Sequence, residues 1–170
     1  MIRLLGTLLI AGASLTLGLT YVAGEVRKLN DLSSMLQLLK EMRGELGARI
    51  TPLPQLMELV SRRCGGAAGN FARGLHLRMG ELGEKEFSVL WNESLKAFLP
   101  DLGKEEKDAL HVLGRCLGRY ELDRQLSELD ICMGCLESRI AVYSSSLPEK
   151  KRMGLGMACS LGALLLIVLI

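Results

Sequence analysis

The chain has 170 residues, 49% of them hydrophobic and only 4% aromatic, and its formal net charge is +2. A leucine-rich composition with so few aromatic residues favours helices over a β-sandwich or barrel. Of the 21 basic residues, Arg3 stands apart near the amino terminus, and the remaining 20 accompany 19 acidic residues. The middle of the chain is therefore nearly neutral. We do not expect nucleic acid as a partner, because phosphate binding requires a clear positive excess.

The first predicted element is an uncharged run of 21 residues, 4–24, near the amino terminus. As a helix this run would be about 32 Å long, enough to cross the hydrocarbon core of a bilayer. The alternative is a secretory signal peptide with a weak cleavage site at Val22-Ala23-Gly24. Because the run is long for a signal peptide and only Arg3 precedes it as a charge, we expect an uncleaved transmembrane helix.

The predicted middle domain, residues 25–152, has apolar residues that recur with helical spacing. Its first helix is expected over about 26–50, continuing from the preceding run, with an apolar seam in which Arg43 is the one polar position. Thr51 then suits an N-cap and Pro52 a first helical position, so a second helix is expected to begin there. The seam residues of the first helix are Leu29, Leu32, Leu36, Leu39, Leu46 and Ile50.

Three more short helices are predicted after the glycine-rich stretch 65–70. That stretch follows no strand and precedes no Lys-Ser or Lys-Thr, so we interpret it as a turn and not as a phosphate-binding loop. The helices are expected near 70–82, 84–99 and 104–120, and the second holds most of the large aromatic residues, which marks the centre of a small core. Residues expected to face inward on the four short helices are Leu53, Leu56, Leu59 and Val60; Phe71, Leu75 and Met79; Phe87, Leu90, Trp91, Leu95 and Phe98; and Leu110, Leu113 and Leu117.

The last helix of the middle domain carries the most regular pattern in the sequence. Its apolar residues are spaced alternately by four and three positions for more than three heptads, which is typical of an a/d seam. Its natural partner is the seam of the first helix, because both helices adjoin the uncharged terminal runs and would lie antiparallel. The seam residues are Leu122, Leu126, Leu129, Met133, Leu136, Ile140, Tyr143 and Leu147.

The chain ends in a second uncharged run, residues 153–170, directly after Lys150-Lys151-Arg152. It would be about 27 Å long as a helix, so a second transmembrane helix is predicted. Basic residues near the two runs lie mainly on the side of the middle domain, which places that domain in the cytoplasm and both termini across the membrane. Small residues spaced by four are candidates for close packing of helices in the membrane. They are Gly154, Ala158 and Gly162.

Together these elements predict an all-α protein with three parts. An antiparallel helical bundle, residues 25–152, is flanked by an amino-terminal transmembrane helix, 4–24, and a carboxy-terminal one, 153–170. The alternative arrangement is a cleaved signal peptide followed by an exported bundle with a tail anchor.

The sequence offers no convincing catalytic set, so no enzyme activity, cofactor or metal is predicted. His76 and His111 have no acid or nucleophile pattern beside them. The five cysteines are an odd number for a secreted disulfide framework, and a reducing compartment fits them better. Cys132 and Cys135 lie at positions i and i+3 of one helix. A thiol redox or metal role for this pair remains the alternative from a different class of function, although no second ligand pair follows it.

Short motifs in the middle domain occur in a characteristic order. They are Ile50-Thr51-Pro52-Leu53, Trp91, Leu113-Gly114-Arg115-Cys116-Leu117-Gly118 and Asp123-Arg124-Gln125. With the two-span layout and the basic lead into the terminal run, this order resembles the stage III sporulation AB proteins of endospore formers, over essentially the whole chain. That family is in turn similar to the platform (F-type) membrane proteins of type II secretion and type IV pilus systems.

The resemblance implies a non-enzymatic platform protein of the channel-like, secretion-like complex between mother cell and forespore. It implies two spans in the mother-cell membrane around the forespore, a helical domain on the cytoplasmic side, and an AA-type cytoplasmic ATPase encoded alongside as its partner. Other membrane components are further expected partners, and a homo-oligomer is compatible with such a platform. A membrane-tethered helical scaffold of another system is the alternative. The matched candidates for partner binding are Thr51, Pro52, Leu53, Leu113, Gly114, Leu117, Gly118 and Gln125.

Overall fold

The structure is a computed structural model that describes residues 2–49 and 51–169. Side chains are described for residues 16, 20–49, 51–149, 152, 153, 156 and 160. Within these residues there are six α-helices and no β-strand, so the predicted all-α class is confirmed. The helices are α1 (Ile2–Ala48), α2 (Leu53–Arg63), α3 (Gly66–Leu77), α4 (Phe87–Phe98), α5 (Lys104–Cys116) and α6 (Leu122–Leu169), with a 3-10 turn at Met79–Glu81 before α4.

The chain divides into two compact units. One unit contains Met1–Leu29 and Val142–Ile170, and the other, which we call the helical unit, contains Asn30–Ala141. The helices α2 to α5 belong entirely to the helical unit, whereas α1 and α6 contribute to both units. The predicted boundaries of the middle domain, 25 and 152, remain a prediction.

Within the helical unit, α1 and α6 run antiparallel, as the sequence predicts. Arg43 forms a bidentate ion pair with Asp130, in which Nη2 donates to Oδ2 over 3.0 Å. Lys40 pairs with Glu137 at 2.8 Å, so residues earlier in α1 meet residues later in α6. The hydrogen bond from Arg43 lowers the pKa of the Asp130 carboxyl below its usual value. Both pairs are exposed, so they fix register more than they add stability.

The predicted seam of α6 is confirmed at its centre, where the side chains leave solvent. Leu129, Met133 and Leu136 are buried. The outer members of the seam are half-buried. They are Leu122, Leu126, Ile140, Tyr143 and Leu147.

The seam of α1 differs from the prediction by one position at two places. Met35 and Met42 are fully buried, whereas Leu36 is half-buried and Arg43 is exposed. Methionine fills irregular core space as well as leucine does, and the leucine-based prediction omitted it. Leu38 is also fully buried, so the buried face of α1 is broader than one seam. Of the predicted seam residues, Leu32, Leu39 and Leu46 are buried, Leu29 is half-buried, and Ile50 lies outside the described residues.

The core of the short helices centres on Trp91 in α4, as expected from the aromatic pattern. The Trp91 ring is fully buried and meets Phe71 edge-on, with 4.9 Å between ring centroids. Phe87 lies beside it at 5.7 Å, and the Trp91 indole N–H donates to the Leu110 carbonyl of α5 over 2.9 Å. A satisfied indole N–H and an edge-to-face pair are the usual requirements for burying tryptophan. Phe98 is 39% exposed, so its assignment to the core was wrong.

The start of α2 lies one residue later than predicted. Pro52 occupies the N-cap position and makes no side-chain cap, and the first helical residue is Leu53. Pro54 stands within the first turn of the helix, where a missing N–H costs nothing. Thr51 therefore lies before the cap, and its N–H donates to the Arg49 carbonyl over 2.9 Å.

The glycine-rich stretch 65–70 is mostly helical, so its interpretation as a turn was wrong. The helix α3 begins at Gly66, whose φ is +66°, and the break between α2 and α3 is confined to Cys64 and Gly65. Ala67 and Ala68 are strong helix formers and outweigh the glycines around them. The helix α5 also ends earlier than predicted, at Cys116 and not at position 120.

No helix in the part of the chain that the structure describes is long and apolar enough to cross a membrane. Most side chains of the predicted spans 4–24 and 153–170 lie outside the described residues. The same holds for Gly154, Ala158 and Gly162, so the two spans and their packing face remain predictions.

Burial at the centre of the α6 seam makes a matched pair of substitutions informative. Leu129 is fully buried, while Ile131 is 63% exposed on the same helix. We expect Leu129→Asp to destabilise the bundle by at least about 2–5 kcal/mol, because it removes apolar burial and places an unpaired charge in the core. Ile131→Asp should change stability by less than about 0.5 kcal/mol. Thermal unfolding followed by circular dichroism compares them; equal melting curves would mean that the seam is not buried.

Candidate functional site

A surface groove of about 320 Å³ lies in the helical unit, where the starts of α2 and α4 meet the end of α5. Four of the eight predicted partner-binding residues line it, although they come from motifs far apart in the sequence. These four are Leu53, Gly114, Leu117 and Gly118. The other lining residues are Leu82, Glu86, Phe87, Ser88, Arg115 and Arg119. We call this feature the apical groove.

The floor of the apical groove depends on the close approach of α5 to α4. A Cβ atom at Gly114 would lie 2.7 Å from Cγ of Trp91 and closer still to Cδ1, which is closer than two carbon atoms can approach. Glycine at this position therefore lets α5 lie directly against the tryptophan ring. The hydrogen bond from Trp91 to the Leu110 carbonyl, one turn earlier in α5, fixes the same contact.

The side of the groove depends on the turn that follows α5. Gly118 has a φ of +74°, a conformation that only glycine adopts readily. A Cβ at Gly118 would lie 2.5 Å from Cδ1 of Leu53, so the bare backbone leaves space for the leucine of α2. This contact joins the Thr-Pro-Leu motif to the Leu-Gly-Arg-Cys-Leu-Gly motif.

The remaining four predicted residues do not line the groove. Leu113 is fully buried beneath it, and Pro52 and Thr51 precede α2. Gln125 lies in the first turn of α6, where its amide nitrogen donates to the Tyr120 carbonyl over 2.6 Å. Its position is therefore explained by the turn between α5 and α6.

A second depression of about 320 Å³ adjoins the apical groove and shares two arginines with it. Arg115 and Arg119 line both features, and Arg124 lines the second. We call these three residues the arginine rim. The guanidinium of Arg124 lies over the Tyr120 ring, 3.9 Å from its centroid, which is a cation–π contact. The second depression is lined by Val112, Arg115, Cys116, Arg119, Tyr120, Arg124 and Glu128.

The arginine rim was missed as a site in the sequence, although two of its members belong to the quoted motifs. Arg119 pairs with Glu86 at 3.0 Å. Arg115 and Arg124 form no ion pair or hydrogen bond of their side chains within the described residues, and both are exposed. Spacing alone could not have found it, because α5 ends at Cys116 and Arg119 lies in the turn that follows, so the proximity of Arg115, Arg119 and Arg124 depends on the path of the chain between α5 and α6.

The cysteine pair is poorly suited to redox or metal chemistry. Cys132 is buried, and this burial, with Cys135 as a lesser cause, raises the pKa of its thiol to about 12. Thiolate is the species that attacks disulfides and binds metals, and burial disfavours this form of Cys132 at neutral pH. Among the described side chains, no three histidine, cysteine or acidic residues are grouped to hold a metal ion.

The two histidines make local hydrogen bonds. His76 Nδ1 lies 3.2 Å from the Pro54 carbonyl, and His111 Nδ1 contacts the side-chain oxygen of Asn92. Neither contact involves an acid or a nucleophile, so neither histidine sits in a catalytic arrangement.

A double substitution tests the cysteine pair. We expect Cys132→Ser with Cys135→Ser to leave function nearly intact, because the thiols are not positioned for chemistry. Spore counts, the measurement that the resemblance to the stage III sporulation AB proteins suggests, are taken together with the total level of the protein. A loss of spores at an unchanged protein level would revive the redox or metal alternative, and the single change Cys64→Ser, at another buried thiol, controls for the cost of a buried hydroxyl.

The comparisons with known proteins agree with the motif order. The family model described as "Stage III sporulation protein AB" matches residues 3–170. A solved structure of a protein described in the same words is similar at a TM-score of 0.63 and 17% identity, over 72% of this chain and 97% of that chain, which shows a shared fold. None of the curated proteins compared with the chain matches it. Because the family model spans nearly all of the sequence, the chain belongs to the stage III sporulation protein AB family.

Proposed function

We propose that the chain is a non-enzymatic membrane platform of the secretion-like complex between mother cell and forespore, and that its helical unit engages an AA-type cytoplasmic ATPase. Membership of the family supports a role in sporulation. The observation that carries the proposal is the apical groove, whose lining includes Leu53, Gly114, Leu117 and Gly118 from motifs far apart in the sequence. Two of these residues are glycines that no side chain could replace without a clash, so the groove has a defined shape.

The proposal includes two membrane spans, 4–24 and 153–170, with the middle domain, 25–152, in the cytoplasm of the mother cell. The distribution of basic residues supports this orientation, since they lie mainly between the two uncharged runs. Lys28 and Tyr143 lie just inside the two runs, and the ammonium group sits 5.0 Å from the ring centroid. This cation–π contact holds α1 beside α6 close to the proposed membrane surface.

The proposed action follows from the connection between the helices. Both α1 and α6 are single helices that lead from the terminal runs to the buried seams of the helical unit. The ion pairs of Arg43 and Lys40 hold these two helices in one antiparallel register. An ATPase that moved the helical unit would therefore act on both spans together, and other membrane components of the complex would meet those spans. Gly154, Ala158 and Gly162 are the proposed contact face, and a homo-oligomer is one form of that assembly.

Two alternatives use the same chain differently. A membrane-tethered scaffold of another system would have the bundle and spans but no ATPase contact. A thiol redox or metal protein would require Cys132 as a thiolate, which its burial disfavours.

The first test concerns orientation. A reporter enzyme that is active only outside the cytoplasm, fused at the exposed Gly83 between the 3-10 turn and α4, should remain silent. The same reporter fused at the carboxy terminus should be active, because the terminus would lie across the membrane. Strong activity at Gly83 would reverse the orientation and remove the proposed contact with a cytoplasmic ATPase.

The second test concerns the apical groove. The full-length protein is purified from membranes of sporulating cells, and the ATPase that accompanies it is quantified. We expect Leu53→Asp to reduce recovery of the ATPase about tenfold, because a carboxylate would replace an apolar contact in the groove. Leu77→Asp is the matched control, since Leu77 is 77% exposed on α3 and lies outside the groove. Equal recovery with both variants, at equal protein levels, would remove the groove from the interface.

A further inference from the structure

We propose that the partner segment bound by the apical groove is acidic and carries an apolar anchor. Its apolar side chain enters the groove, and its carboxylates pair with Arg115 and Arg124 of the arginine rim. This inference rests on the proposed function, because it specifies the chemistry of the partner at the same site.

The groove offers a small apolar surface on which a side chain could bind. Leu53, Phe87 and Leu117 contribute apolar walls, and Leu82 at its edge is 38% exposed. A volume of about 320 Å³ accommodates one or two side chains and not a broad domain surface. Interfaces of this kind obtain most of their affinity from a few anchors that enter a formed pocket. The occupant is therefore expected to be a short segment with a leucine-sized or aromatic side chain.

The charges around the groove select an acidic occupant. Glu86 is already paired with Arg119, so this cation and this anion compensate each other. Arg115 and Arg124 form no ion pair within the described residues, and Glu128 is the one other carboxylate among the lining residues of the two depressions. A guanidinium binds a carboxylate through two parallel hydrogen bonds, which gives the pair direction as well as strength.

One of the two available arginines is already oriented. The contact of Arg124 with the Tyr120 ring restrains the guanidinium before a partner arrives. Less side-chain freedom is then lost on binding, which favours affinity. Tyr120 itself is 44% exposed and adds apolar surface beside the charge. Arginine and tyrosine are also the residue types most often found at the centres of interfaces.

The location of this surface within the helical unit suits a partner from the cytoplasm. Arg124 lies in the first turn of α6, and seventeen residues separate it from Ala141, where α6 leaves the helical unit. At 1.5 Å per residue this distance is about 26 Å along the helix axis. Leu53, which lines the groove, follows Ala48 at the end of α1, whereas α1 enters the helical unit at Asn30.

The test uses the full-length protein in lipid nanodiscs. The probe is a fluorescein-labelled short peptide that contains leucine flanked by Asp and Glu, and the matched control peptide replaces these with Asn and Gln. Anisotropy measures binding. The single tryptophan, Trp91, provides a second signal, because it contacts Gly114 and Phe87, which both line the groove.

We expect the acidic peptide to bind and the amide peptide to bind at least about tenfold more weakly, with affinity falling as salt is raised. Arg115→Glu should weaken binding of the acidic peptide about tenfold, and Arg115→Ala should weaken it less, since it removes attraction without adding repulsion. Arg73→Glu is the matched control, because Arg73 is an exposed arginine on α3 outside both depressions. Retained helical circular dichroism confirms that the variants are folded.

The outcomes separate this inference from the proposed function. If the wild-type protein captures the ATPase but Arg115→Glu captures it as well as Arg73→Glu does, the acidic-partner inference is wrong and the function stands. If the acidic peptide binds in an Arg115-dependent way but the ATPase is not captured, the function fails and the acidic preference of the surface stands. Equal binding of the acidic and amide peptides overturns the inference. Self-association that Arg115→Glu abolishes also overturns it, because the occupant would be a second copy.

Discussion

The contact between Trp91 and Gly114 is the constraint on which the rest of the helical unit depends. It brings α4 and α5 closer than any side chain at position 114 would allow. The tryptophan is fully buried, bonded to the Leu110 carbonyl and packed edge-on against Phe71, so three helices meet at one ring. The apical groove is formed on the outer side of this contact. A shift of α5 away from the tryptophan would therefore disturb the core and the candidate site together.

The short helices are tied to the long ones by charged side chains at their edges. Arg63 at the end of α2 reaches Glu41 and Glu45 of α1. Arg139 of α6 reaches Glu105 and the fully buried Glu106 in the first turn of α5, at 3.1 Å in each case. A buried carboxylate is costly unless it is paired, and the positive end of the α5 dipole helps to stabilise it. These contacts specify how α5 sits on α6, while apolar burial supplies most of the stability.

Much of this architecture could be predicted from apolar spacing, because that spacing depends on the helix period alone. The sequence indicated the antiparallel pairing of α1 with α6 and the central role of Trp91 correctly. The prediction omitted Met35 and Met42 of the α1 seam, because it followed the leucines and assigned the next positions, Leu36 and Arg43, to the buried face. The predicted helix starts were wrong where proline or glycine fits more than one position. In α2, for example, Pro52 was assigned to the first helical position, whereas it is the N-cap and Pro54 lies in the first turn. Local residue preference does not distinguish such positions, and tertiary packing decides between them.

The sequence predicted only part of the candidate site, again because tertiary packing decides which residues meet. Leu53 and Gly118 were identified in separate motifs, but their contact depends on the path of the chain between them. The importance of Arg115 depends on the pairing of its neighbour Arg119 with Glu86, which is 33 residues away in sequence. Charge matters at a surface only when nothing nearby compensates it, and that balance is a property of the fold.

The segment from position 113 to 119, which includes the end of α5 and the turn after it, serves the core and the surface. Leu113 is buried and Gly114 admits the tryptophan, so the inner side of α5 is committed to packing. Arg115 on α5 and Arg119 in the turn after it are both exposed, where they affect stability little. Gly118 then ends the segment in a conformation that leaves room for Leu53. Packing requirements therefore explain the leucines and glycines of this motif, and the ion pair with Glu86 accounts for Arg119. Arg115 is the one residue of the segment that neither packing nor an ion pair within the described residues explains, and this is why the proposed acidic partner is assigned to it.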